Sequence, residues 1–365
     1  MSVADVGRGR SAWSSERGTR SGAARPTLPV MALRRILFLA AAASLVAGCT
    51  HTVAPEASPH ETTGANVPTD PSTPLPDPEE VGANELGVVP VLMYHRIVPE
   101  PASVYDRTPE DFRAELQRLA DSGYVPVTTA ELATGRLDLP AGTHPVVLTF
   151  DDGDPSTIRM DGSRVAPDTA IGTLLDVARD NPGFRPTASV YVNEEPFGGG
   201  EAGRRALRWL VDNGFEVGNH TFGHADLGTS SPRAAQQAIA DGDESIREAV
   251  PGYAPTTLAL PFGARPEPGE LALRGDGYDY RAVLLVGANP APSPFSVEFD
   301  AAAVPRIRSQ GPDGEGAEFG STAWLDELAA DPGSLYTSDG DPARISYPRD
   351  DDTLNPEFAE AAAPY

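Results

Sequence analysis

Residues 146–154 read VVLTFDDGD. Five residues suited to a buried strand run into two adjacent carboxylates and a glycine. Two like charges side by side raise each other's pKa and cost free energy, so Asp151 and Asp152 need something nearby that offsets their repulsion. Short apolar strands that alternate with helices build a parallel sheet covered on both faces. Closed into a ring, that sheet is a (β/α) barrel, and its chemistry collects at the C-terminal ends of the strands. The carboxylate pair sits where such a barrel would use it, which predicts that other reactive side chains also follow strands.

Further out, the runs 88–94, 124–127, 188–192, 215–219, 257–260, 281–286 and 303–307 are short and rich in apolar or β-branched residues. Helical patterns fall between them at 108–123, 204–214 and 231–250. The first is the clearest. Thr108 suits an N-cap, Pro109 the first turn, and Phe112, Leu116 and Leu119 form an apolar stripe that ends at Gly123. The class is α/β and the expected architecture a distorted (β/α) barrel.

Reactive side chains do follow the strands. Tyr94, His95 and Arg96 come after the first, and Asn219 and His220 after FEVG. Pro261, Phe262 and Gly263 come after TLAL, and Arg306 and Arg308 end the last. The segment HTFGH (220–224) spaces two imidazoles at i and i+4, which puts them on one face of a helical turn. With a carboxylate from Asp151 or Asp152 they make a two-histidine, one-aspartate set that leaves positions open for water. Such a set suits Zn²⁺ or a similar divalent ion in a catalytic site.

TFDDG (149–153), GNHTFGH (218–224) and LPFG (260–263) resemble successive motifs of the polysaccharide deacetylases, the family 4 carbohydrate esterases with a NodB-homology domain. VPVLMYHRI (89–97), DFRAELQRLADSGYVPVT (111–128) and RPTASVYVN (185–193) are similar to strand and helix segments of the same family, so the resemblance covers about 88–310. It implies a seven-stranded distorted barrel. Asp151 is then the general base, and Asp152, His220 and His224 hold the metal, most simply Zn²⁺, with Co²⁺ or Ni²⁺ as alternatives. Pro261, Phe262 and Gly263 form the substrate and oxyanion loop. The implied reaction is hydrolysis of N-acetyl groups on an acetylated polysaccharide, an N-acetylglucosamine polymer or peptidoglycan. O-deacetylation of xylan and non-catalytic glycan binding on the same fold are the alternatives.

The chain departs from the family pattern in two places. No histidine follows His224, although the family usually supplies its acid from a late LxHD histidine, and Ala259 stands where the third motif usually has arginine. A branch whose first strand ends in YHR uses that histidine instead. His95 is therefore the expected acid for the departing amine, and Arg306 the residue expected to orient Asp151.

The N-terminal region reads as an address, not a fold. MALRRILFLAAAASLVAGC, from Met31, has the charged, apolar and small-residue order of a secretory signal, and its apolar run is short for a membrane span. LVAGC resembles a lipobox, implying lipidation of Cys49 and an anchor in the cytoplasmic membrane. The expected organisation is a signal at 1–48, with 1–30 an extension ahead of Met31; then Cys49 and a disordered Pro/Thr-rich linker to residue 86; then the deacetylase-like domain, 87–365. The expected location is the cell surface, as an exported lipoprotein, or the exterior as a secreted protein. A net charge of −25, with all 28 basic residues arginine, disfavours nucleic acid. No strand-linked glycine fingerprint points to a nucleotide, and no GxSxG elbow to a serine hydrolase.

Overall fold

A computed structural model describes residues 74–365. The leader, Cys49 and most of the Pro/Thr-rich segment lie outside the described residues. Eight parallel strands make the main sheet: β1 (Val91–Tyr94), β2 (Tyr124–Val127), β3 (His144–Phe150), β4 (Ser189–Val192), β5 (Glu216–Asn219), β6 (Thr257–Ala259), β7 (Ala282–Leu284) and β8 (Ile307–Arg308). Their order is β7-β6-β5-β4-β3-β1-β8, with β2 paired to the first half of β3. The two edges meet at Val304. It bridges Leu284, its N–H donating to Val283 O and its carbonyl accepting from Leu285 N, both at 2.9 Å. Three residues later, at Ile307, the same run pairs with β1. The sheet is a distorted barrel, as the alternation of strands and helices implied.

The helices are α1 (Pro109–Asp121), α2 (Thr129–Ala133), α3 (Ala170–Asp180), α4 (Gly200–Asp212), α5 (Pro232–Ala249) and α6 (Ser321–Ala330). Thr108 caps α1 by accepting the N–H of Asp111 at 3.1 Å, and Phe112, Leu116 and Leu119 are fully buried. Strand parity sorts the core. Leu92, Tyr94, Leu148 and Phe150 face the helices, with Phe112 and Leu116. Val91 and Val147 share the other cluster, with Tyr191 and Ala259. Successive side chains alternate faces, so Thr149 and Asp151 follow Val147 inward.

The domain begins earlier than the sequence reading placed it. Order begins before residue 87: Ala83, Asn84, Glu85 and Leu86 are buried, bridged to the C-terminal region at Thr337. The C-terminal end packs back on this segment. Ile345–Tyr347 pairs with Ala362–Pro364, and Tyr365 Oη donates to Ala83 O at 2.7 Å. The two ends together close the N-terminal mouth of the barrel. There His144 is half-buried and held by Tyr336 O at 2.9 Å. Neither end was legible because each needs the other to bury its apolar side chains.

Glu85 sits in this seal, accepting Ser346 N at 2.8 Å and Tyr336 Oη at 3.2 Å. Burial, aided by the charge of Asp339, pushes its carboxyl up from 4.5 to about 7. A raised acid pKa means the folded chain keeps a proton that the unfolded chain loses. Stability from this group is therefore full below pH 4.5 and falls as pH rises to about 7, by about 3 kcal/mol. Urea melts of wild type and Glu85→Gln between pH 4.5 and 8 should diverge by that order, the variant being the flatter. Parallel curves would remove the assignment.

Candidate active site

The site stands at the C-terminal ends of β1, β3, β5 and β6, with Arg306 just ahead of β8. Asp151 continues the inward face of β3, and its amide donates to Tyr94 O at 3.0 Å, which sets His95 across from it. The backbone then leaves the strand. Asp152 has φ 72° and Gly153 φ 67°, both in the left-handed region. A Cβ on Gly153 would stand 2.8 Å from Pro196 Cβ, so only glycine fits there.

Asp151 is buried, and Arg306, fully buried, grips it through two hydrogen bonds of 2.7 Å, Nη1 to Oδ1 and Nη2 to Oδ2. The guanidinium is itself positioned by Leu285 O, which accepts from Nε at 2.7 Å, and by Thr149 Oγ1 at 3.2 Å. Burial works against the charge of Asp151. Arg306 outweighs it and holds the carboxyl well below the usual carboxylate range.

Asp152 is half-exposed and turns the other way. Its Oδ1 lies 3.4 Å from His220 Nε2 and 3.4 Å from His224 Nε2. The three ligand atoms all lie within 4.8 Å of one another. His220 Nδ1 donates to Ala259 O at 2.9 Å, so the proton sits on Nδ1 and the Nε2 lone pair is free for a metal. A tetrahedral ion with bonds of about 2.0–2.1 Å has ligand–ligand edges of about 3.3 Å. The observed spacings match that edge, and the residues fit a divalent cation. Burial raises the Asp152 carboxyl pKa, but His220 outweighs it and the net shift is downward.

The two histidines are not on an α-helical turn, as the HTFGH spacing had implied. Phe222–His224 is a single 3₁₀ turn with Thr221 at φ 64°, Gly223 at φ 71° and His224 at φ 48°. The i, i+4 spacing still brings the rings to 5.0 Å, because side chains outside the loop hold it. Asn219 Oδ1 accepts Thr221 N at 2.7 Å, and Glu194 Oε2 accepts Gly223 N at 2.7 Å. Gly242 lets α5 approach so closely that a Cβ would meet Asn219 Oδ1 at 2.4 Å. Glu194 and Thr149 are contributors the sequence reading passed over, while Asn219 was named only as following its strand. Each was visible as a polar residue in or just after a strand.

His95 is mostly buried, with Nδ1 lacking a hydrogen-bond partner and its ring 4.8 Å from Tyr105. Burial lowers its pKa, against the pull of Asp151 and Asp152. Tyr94 is fully buried and donates to Glu115 at 2.8 Å, a packing residue. Pro261–Gly263 forms a turn with Phe262 at φ 59°. The exposed Phe262 ring lies 4.6 Å from His224, so this loop adjoins the histidines.

Two imidazoles and a carboxylate spaced for one cation, beside a second carboxylate locked by arginine, make a candidate metallohydrolase centre in a barrel mouth. Residues 138–280 match the family model described as polysaccharide deacetylase. Chitooligosaccharide deacetylase of Bradyrhizobium sp. (strain ANU 289) is 30% identical over 125 residues, 34% of this chain and 48% of that protein. Chitin deacetylase of Colletotrichum lindemuthianum is 29% identical over 119 residues, 32% of this chain and 41% of that protein. The chain thus spans about half the length of the curated relatives it matches. The solved structure of IcaB from Ammonifex degensii aligns at 21% identity with a TM-score of 0.48, covering 68% of this chain and 98% of that one.

Removing one partner of a buried ion pair leaves an uncompensated charge and costs roughly 3–5 kcal/mol. Arg306→Met should therefore destabilise the domain by that order in urea denaturation, and adding Asp151→Asn should restore most of the loss. A single variant within about 1 kcal/mol of wild type, the size of an exposed pair, would contradict the buried pairing.

Proposed function

We propose that this chain is a metal-dependent N-deacetylase of an acetylated extracellular polysaccharide, an N-acetylglucosamine polymer or peptidoglycan. The observation that carries the reading is the set Asp152, His220 and His224, spaced for one ion and adjoined by Asp151. Zn²⁺ is the ion best matched by two imidazoles and a carboxylate. Held there, it would polarise the acetyl carbonyl and acidify water at neutral pH.

The chain's own groups do the rest. Arg306 keeps Asp151 ionised at every working pH and fixes its plane. A carboxylate held so far down is a weak base, suited to accept a proton only from a water already made acidic. His220 is fixed in one tautomer by Ala259 O. In the loop next to His224, Pro261 has no N–H and Gly263 N donates to Leu260 O at 3.0 Å, which leaves the Phe262 N–H for the developing oxyanion. The departing amine needs a proton. His95, neutral at pH 7 because burial lowers its pKa, can collect one and deliver it through a ring nitrogen. The secretory signal and the lipobox-like LVAGC ending at Cys49 support action outside the cytoplasm from a membrane anchor. Such a location gives the enzyme access to cell-envelope glycan.

The test is acetate release by the purified protein with one equivalent of Zn²⁺, on chitooligosaccharides, peptidoglycan strands and acetylxylan. N-acetylated glycans should be turned over. His95→Ala should bind metal normally and lose roughly 10²-fold or more in kcat. Release from acetylxylan alone would convert the reading to an O-esterase. No release from any of them with metal bound would reject the activity, and an undiminished His95→Ala rate would remove His95 as the acid.

A further inference from the structure

Arg308 lies two residues beyond Arg306, at the C-terminal end of β8. Arg306 is consumed by Asp151. Arg308 is not: its Nε donates to Gln310 Oε1 at 3.0 Å and its Nη2 to Glu315 O at 2.8 Å, both neutral acceptors. Among the described residues no carboxylate oxygen lies within 4.0 Å of its nitrogens. Its guanidinium carbon sits 5.6 Å from the centre of the Tyr105 ring.

This guanidinium lines a cleft of about 360 Å³ together with Met93, Val104, Tyr105, Val286 and Phe319. Val104, Tyr105, Val286 and Phe319 are all exposed large apolar residues. Glu315, whose backbone oxygen accepts from Arg308, also lines the cleft. The cleft shares its walls with the reaction centre. Tyr105 packs on His95, a Cβ on Gly263 would touch Val286 at 3.2 Å, and one on Gly287 would lie 3.4 Å from Arg306 N.

Apolar and aromatic walls with a few convergent polar or charged groups are the make-up of a ligand site, and Arg308 is the cation of this one. Aromatic faces suit the C–H faces of a sugar ring, and a guanidinium without a counter-ion suits a carboxylate. The chain's net charge of −25 repels anions at long range, so the cleft's charge serves contact and not steering. A wholly neutral glycan would leave Arg308 without use. Resting on the deacetylase reading, we infer that this cleft is a subsite for a carboxylate-bearing pyranose adjoining the acetylated residue of the substrate. The carboxylate belongs either to a uronic acid ring or to a lactyl ether on a hexosamine.

Three oligosaccharides of equal length separate these sources: chitotetraose, a glycan alternating N-acetylglucosamine with the lactyl-bearing hexosamine, and one alternating it with a uronate. One carboxylate-bearing glycan should exceed chitotetraose in kcat/KM by roughly tenfold or more. Arg308→Gln should collapse that ratio toward one, and Arg308→Lys should keep most of it. A ratio unchanged in Arg308→Gln, or a wild-type preference for chitotetraose, would overturn the subsite.

A second measurement does not depend on turnover. Calorimetric titration of the intact zinc-loaded protein with the deacetylated form of the favoured glycan should give a Kd roughly tenfold or more tighter than its methyl ester. Equal affinity for acid and ester removes the subsite whatever the turnover. Should no glycan release acetate while the acid is still preferred over the ester, the deacetylase reading falls and the anionic subsite stands.

Discussion

Two carboxylates side by side at the end of a buried strand are tolerable here because each has a different cation to answer to. Asp151 is clamped from behind by Arg306, inside the barrel, through two parallel hydrogen bonds. Asp152 turns outward toward His220 and His224. The repulsion that burial would amplify is thus divided between a permanent charge supplied by the chain and a ligand set built for a metal. The clamp also depends on closure of the ring. Arg306 lies on the run that links β7 to β1, so its hold on Asp151 joins the last segment of the barrel to the third strand.

The metal side of the arrangement relies on backbone shapes that few side chains favour. Asp152, Thr221 and His224 all have left-handed φ, conformations that cost free energy outside glycine and concentrate at functional sites. The surrounding structure holds them in place. Asn219 anchors Thr221, and also donates to Tyr280 Oη at 2.7 Å and to Ile239 O at 2.8 Å. Glu194 reaches from the end of β4 to Gly223. The loop carrying both histidines is therefore tied to three neighbouring elements, which pre-sets the imidazoles before any ion arrives.

Most of the barrel was legible from the chain alone, because each strand is a short apolar run and each site residue comes just after one. The residues predicted to converge at the mouth do so: Asp151, Asp152, His220 and His224 meet, Arg306 reaches Asp151, and Phe262 reaches His224. What could not be read was conformation that depends on contacts far along the chain. The HTFGH turn is set by Asn219, Glu194 and Gly242, not by its own spacing. The ordering of residues 77–88 and of the C-terminal tail needs each to cover the other. α3 escaped notice because AIGTLLDVARD follows a loop whose small ribbon, Met160–Asp161 with Arg164–Val165, gives no periodic signal.

Everything in the reaction scheme depends on one cation being held by two imidazoles and one carboxylate. X-ray absorption at the zinc edge, on protein loaded to equilibrium and freed of excess metal, tests this most directly. One zinc per chain, bonded to two imidazole nitrogens and a carboxylate oxygen at about 2.0–2.1 Å, is the predicted result. Failure to retain stoichiometric zinc, or a spectrum without imidazole scattering, would contradict it.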